Sequence, residues 1–183
     1  MLFGLRVYLS LHMLKFNLDF MKRLLFLCIA LFCFACAPTE KQAHEIVLSL
    51  KGEMLFSGAN TLQMPVKHRP NNLVADANLG EVELESVGVN KVSISLTEEQ
   101  HRIVESVLLQ VVSDQNEMIT LGTLSPLPDG TTFDLKLAED LDLLPYFKDN
   151  GGAWVLDINL SEDYMDEMQV DARLNLSLNY TDK

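Results

Sequence analysis

The residues of this chain best suited to chemistry are its carboxylates, gathered in two runs, Glu139-Asp140-Leu141-Asp142 and Glu162-Asp163-Tyr164-Met165-Asp166-Glu167. A hard cation takes clustered oxygen donors, so Asp140, Asp142, Asp163 and Asp166 are candidate calcium ligands. Two acids roughly 5–10 Å apart could also hydrolyse a glycosidic bond. Carboxylates on the turns of an acidic domain are ordinarily just solvated, and the expectation is therefore a non-enzyme with no metal and no cofactor. A carboxylate-based hydrolase or carbohydrate-processing enzyme is the alternative. Asp114-Gln115-Asn116 begins like an EF-hand loop but lacks the glycine and the terminal glutamate at the required spacing. His44, His68 and His101 are not paired at zinc-ligand spacing. The sequence contains no G-x-S-x-G elbow, H-E-x-x-H pair, P-loop or G-x-G-x-x-G turn.

Binding is the stronger functional class. The segment Lys67 to Gly80, KHRPNNLVADANLG, reads as a long polar loop, and Lys67, His68 and Arg69 make the one local cluster of positive charge on an acidic protein. These three residues are the candidate contact surface. Trp154 falls on the apolar phase of an alternating run and is expected in the core, as is Met54-Leu55-Phe56.

The formal charge of the chain is −12. Residues 1–35 hold four basic residues and one acidic one, so the 10 basic and 25 acidic residues from Cys36 onward carry a net −15. Such a surface repels phosphate backbones, so nucleic acid is not an expected partner. It also offers no electrostatic patch for an anionic membrane. All three cysteines, Cys28, Cys33 and Cys36, lie in one short segment. Everything after Cys36 must fold without a disulfide, a catalytic thiol or a zinc thiolate.

That segment, MKRLLFLCIALFCFAC from Met21 to Cys36, resembles a bacterial lipoprotein export signal. Lys22 and Arg23 form a positive start, Leu24 to Phe34 an apolar run of 11 residues, and Ala35 the small residue before a cut. The run is too short to span a bilayer, which takes about 20 residues. The resemblance implies lipid attachment at Cys36 and a membrane held through that lipid, in the cell envelope and at the outer membrane. The position three before Cys36 holds Cys33 where a lipobox usually has leucine. An ordinary signal-peptidase cut, leaving a soluble periplasmic protein, is thus the alternative. Translation is expected to start at Met21, with residues 1–20 an upstream extension. The expected divisions are then a signal at 21–35, lipidated cysteine and tether at 36–43, and a single domain at 44–183.

The elements of that domain are strands. Val170, Ala172, Leu174, Leu176, Leu178 and Tyr180 alternate with polar residues, a period of two that gives one buried and one wet face. Similar alternation marks Ile46 to Leu50, which could run on to Phe56 past a bulge at Gly52. It recurs at Val82 to Ser86, Val92 to Leu96, Phe133 to Leu137 and Trp154 to Leu160. Pro128-Asp129-Gly130, Asp149-Asn150-Gly151-Gly152 and Ser86-Val87-Gly88 are the expected turns. Thr97-Glu98-Glu99-Gln100 is a capping box, predicting a helical turn at 97–102 followed by a strand at 103–112. A continuous helix over 98–112 is the alternative. Met118 to Leu124 is the expected hairpin partner of that strand. Asp142 to Phe147 reads as a loop or helical turn, because Pro145 bars a central strand. The pattern predicts an all-β protein. Its expected form is a single antiparallel β-sandwich, immunoglobulin-like or related, of seven to nine strands with one or two helical turns.

The order VESVLLQVV, DLLPYFKD, WVLDINL and MQVDARLNLSLNY resembles an uncharacterised class of exported β-sandwich proteins of Bacteroidetes-like bacteria. The resemblance spans about half the chain. It implies a sandwich fold and an envelope location, and it carries no functional residue. The function expected is non-catalytic interaction with an envelope protein or polymer. An adhesive or fimbria-like subunit using strand exchange is a further alternative.

Overall fold

The computed structural model describes residues 39–182. The Met21–Cys36 segment, with Cys36 itself, and residues 1–20 lie outside them. The described residues fold as nine antiparallel strands: β1 (Glu40–Gly52), β2 (Gly58–Pro65), β3 (Val82–Ser95), β4 (Val104–Ser113), β5 (Ile119–Leu124), β6 (Thr132–Asp134), β7 (Lys136–Leu137), β8 (Gly152–Leu160) and β9 (Met168–Asp182). Among the described residues three short helices punctuate them: α1 (Pro70–Asp76), α2 (Glu98–Ile103) and α3 (Leu144–Lys148). None of the described helices is long and apolar enough to cross a membrane.

The strands form one sheet in the order β6-β3-β9-β1-β2-β8-β4-β5-β7. Its two terminal strands are consecutive in sequence and separated only by Leu135. The segment 132–138 pairs with β3 through Ile94↔Phe133 and then with β5 through Gly122↔Leu137. The amide of Leu135 donates to Val92 O at 2.9 Å, and that of Ala138 to Leu121 O at 2.9 Å. The sheet is therefore brought round on itself, and one extended segment bridges its edges. Closure of this kind protects the unpaired backbone groups that an open edge would expose. The ladder is weakest between β1 and β2, which share the single register pair Lys51↔Gln63.

β9 is the backbone of the assembly. Its even-numbered side chains from Met168 to Tyr180 point inward and its odd-numbered ones outward, as period-two alternation requires. It pairs along its length with β1, from Glu40↔Tyr180 to Gly52↔Met168, and on its other side with β3. This places the start of β1 and the end of β9 at one end of the barrel, the entry end. Gly52 and Met168 lie at the far end, about 40 Å along a 13-residue strand.

The structure bears out the switch at residue 103. The Thr97 side chain accepts from Gln100 N, and the Gln100 side chain accepts from Thr97 N, so α2 is a closed capping box. The β-branched run that follows is β4, paired with β5 and β8. Three expectations need correction. First, β1 starts at Glu40, so residues 40–43 belong to the sheet and not to a tether, and β1 ends at Gly52 without running on to Phe56. Second, Ser86-Val87-Gly88 is no turn. β3 runs straight through it with register shifts between Leu84 and Ser86 and between Val89 and Lys91. The backbone groups displaced there are taken up by the crossing segment, since Asp142 Oδ1 accepts from Val87 N at 2.8 Å and Leu143 N donates to Val87 O at 2.8 Å. A bulged strand carries the same Ser/Gly composition as a turn, and the Asp142 partner that marks the bulge lies 55 residues away. Third, residues 70–76 of the expected polar loop form α1, which begins on Pro70 and buries Leu73.

Candidate functional site

The carboxylates do not converge. Asp142 Oδ1 is committed to two backbone amides, Val87 N at 2.8 Å and Leu144 N at 3.0 Å, and so fixes the start of α3. Asp163 Oδ1 accepts from Ser57 N at 2.8 Å and ties the β8–β9 connection to the β1–β2 connection. Asp140 and Asp166 are exposed. Asp140 and Asp142 belong to the entry end, Asp163 and Asp166 to the far end, so the four candidate ligands fall into two separate pairs. Among the described residues no group of three or more His, Cys, Asp or Glu side chains is placed to hold a metal ion.

Lys67, His68 and Arg69 do not stand together as a surface. Lys67 alone is exposed. Arg69 donates to the carbonyls of Phe147, Asp149 and Asn150, and so binds the strand leaving β2 to the turn after α3. Asp149 completes this knot, accepting from Gly151 N at 3.2 Å and Gln115 N at 3.0 Å. Those hydrogen bonds, the one from Gly151 foremost, hold the Asp149 carboxyl below its usual range. His68 is half-buried with its ring edge-on to Phe147, centroids 6.4 Å apart, and its Nδ1 has no partner among the described residues. The positive cluster read as a contact loop is thus largely a structural clamp at the entry end. The signal missed is the Pro70 helix start, which turns the following residues inward.

Burial drives the His68 pKa below its ordinary value of 6.5, against the opposing field of Asp76 and with a small added push from His44. The folded protein therefore binds this proton less readily than the unfolded chain does. The stability involved is present above pH 6.5 and is lost as pH falls through the lower folded value. Wild-type urea midpoints are expected to fall between pH 7 and pH 5, and His68→Phe is expected to flatten that slope. An unchanged slope in the variant would assign the pH dependence elsewhere.

Two surface features remain. At the entry end an open groove of about 700 Å³ runs between residues 116–120 and 138–142, lined by Glu117, Glu139, Asp140 and Asp142 over Met118 and Leu141. The Tyr146 hydroxyl at its wall is taken, donating to Glu117 O at 2.5 Å. Trp154, the single tryptophan, is fully buried as expected and offers this groove no aromatic platform.

The second feature is at the far end. Leu55 and Tyr164 form an isolated antiparallel bridge, exchanging amide bonds of 2.9 and 2.8 Å. Leu55 is buried, but its neighbours Met54 and Phe56 are 64% and 60% exposed, and Met165 beside Tyr164 is 56% exposed. Of the Met54-Leu55-Phe56 triplet expected in the core, only the central residue enters it. The bridge explains this, because pairing with Tyr164 turns Leu55 inward and leaves its neighbours outward.

No protein-family model matches this chain, and no curated protein matches it. Among solved structures it is similar to that of Desmodium yellow mottle tymovirus, with TM-score 0.32 and 8% identity over 76% of this chain and 82% of that one. It is also similar to turnip yellow mosaic virus at 100 K, with TM-score 0.29 and 13% identity over 79% of this chain and 94% of that one.

Proposed function

We propose that this protein is a non-catalytic lipoprotein of the cell envelope that acts by docking to another macromolecule. The observation that carries the reading is the far end of the barrel. Three large apolar side chains stand there in solvent, on loops held rigidly by the Leu55–Tyr164 bridge and the Asp163–Ser57 bond. Exposed apolar side chains gathered on ordered loops are characteristic of a contact surface. A lipid on Cys36 would be four residues of chain from the start of β1, within about 14 Å at full extension. That would tie the entry end to the membrane and turn the apolar end away from it. The barrel itself is best read as a flattened, sandwich-like form, since β1 and β2 barely pair and divide the sheet into four- and five-stranded halves. The same thin seam favours strand addition along β1 as the second reading.

Labelled palmitate fed to the host tests the anchor. Wild-type protein is expected to take up label and fractionate with membranes, and Cys36→Ala to lose both. Label retained by Cys36→Ala, or membrane association without label, would refute lipidation at this residue. In-cell crosslinking in the two backgrounds tests the docking, with partners expected to depend on the anchor.

A further inference from the structure

We infer that the far-end loops, residues 53–56 and 162–167, are the docking surface, and that it fits a protein partner presenting an apolar pocket bordered by lysine or arginine. This rests on the interaction reading above and specifies where it occurs and with what chemistry. Met54, Phe56 and Met165 form the apolar centre, all more than half exposed. Antiparallel pairing of Leu55 with Tyr164 sets Met54 opposite Met165 and places Phe56 within one residue of the bridge, so the three are neighbours. Met54 holds a left-handed backbone at φ 50°, which side chains of its kind rarely adopt. Methionine adapts to irregular surfaces, and a phenylalanine supplies a rigid anchor.

Charge selects the partner. Glu53, Glu162, Asp163 and Asp166 are exposed around this centre, and Glu167 is paired with Lys51 at 2.6 Å. An acidic rim round an apolar centre is complementary to a basic rim round an apolar pocket. It opposes the two other occupants that an apolar tip could have. A symmetric pair of copies would set like-charged rims face to face, and an anionic membrane surface would repel the same carboxylates.

The test uses the full-length chain in its host, with benzoylphenylalanine placed at position 56, 165, 47 or 118. Val47 and Met118 are comparably exposed but belong to the outer face of β1 and to the groove. Crosslinks are expected from positions 56 and 165, to a partner peptide in which apolar residues adjoin lysine or arginine. Their yield should fall at least tenfold in the Glu53→Lys/Glu162→Lys/Asp166→Lys background and when Met54→Ser is combined with the position-165 or position-56 probe. Circular dichroism melts of each variant establish that the barrel is intact. Crosslinks from 56 and 165 to a second copy, to lipid or to a partner lacking basic residues overturn the inference, as does a yield indifferent to charge reversal. Crosslinks only from 47 or 118 defeat this surface and leave the interaction reading standing. Silence at all four positions defeats both.

Discussion

Trp154→Ala is expected to destabilise the protein by about 3–5 kcal/mol, the range for deleting a buried tryptophan. Trp154 is fully buried on β8, paired with Met64 of β2 and Val111 of β4, and packs on Phe147 with ring centroids 6.1 Å apart. Phe147 in turn meets His68, so the tryptophan sits under the clamp that Arg69 makes at the entry end. Removing the indole leaves a cavity whose walls are strands on both sides, which cannot collapse without breaking register. Trp154 also carries a cost, because its Nε1–H is buried with no partner among the described residues. An orphaned donor of this kind costs roughly 1–3 kcal/mol. Trp154→Phe removes that donor and leaves a smaller cavity, so its loss is expected to fall clearly short of that of Trp154→Ala. Urea unfolding followed by circular dichroism checks both, since the variants lack the only tryptophan fluorophore. Equal losses for the two variants would overturn the expectation that ring packing carries the effect.

The second large effect is expected at Gly122. A β-carbon there would meet Lys136 O at 2.9 Å and the Leu135 Cβ at 3.0 Å. Both belong to the segment that bridges the edges of the sheet. Real β-carbons do not approach a backbone oxygen so closely, and neither atom is the end of a flexible side chain. Gly122→Val should therefore push the 132–138 segment off β5 and cost about 1–3 kcal/mol as overpacking does. The effect should also be local. Hydrogen exchange at the Ala138 amide, which donates to Leu121 O, is expected to accelerate strongly, while amides in the β1–β9 ladder keep their protection. Uniform acceleration would show that closure and the rest of the sheet open together. No acceleration would show that the segment tolerates the added side chain and that the glycine is not required there.

Strand content was legible from alternation because a half-buried strand writes its two faces into consecutive residues. The Val170 to Tyr180 run announced β9, and Trp154 to Leu160 announced the inward position of the tryptophan. The capping box at Thr97 was equally plain, since it is a four-residue device that needs nothing distant. The candidate sites fared differently. By type and clustering Asp142 and Asp163 resemble cation ligands. Their actual partners are backbone amides, of Val87 and Leu144 for one and of Ser57 for the other. Ser57 is 106 residues from Asp163, and no local pattern encodes that. Arg69 looks like surface charge in sequence for the same reason, since its carbonyl acceptors lie about 80 residues on.

What the sequence alone determined is the all-β class, the antiparallel pairing, the inward face of each principal strand and the helical turn before β4. These follow from periodicity and capping, which act over a few residues. The tertiary structure alone decided that the sheet closes through residues 132–138, that β3 bulges instead of turning, and that Met54, Phe56 and Met165 share one exposed end. Each depends on backbone groups meeting across long loops. A hydrophobic residue in a turn looks the same in sequence whether its strand partner turns it inward, as Tyr164 does for Leu55, or leaves it in solvent as it leaves Met54 and Phe56.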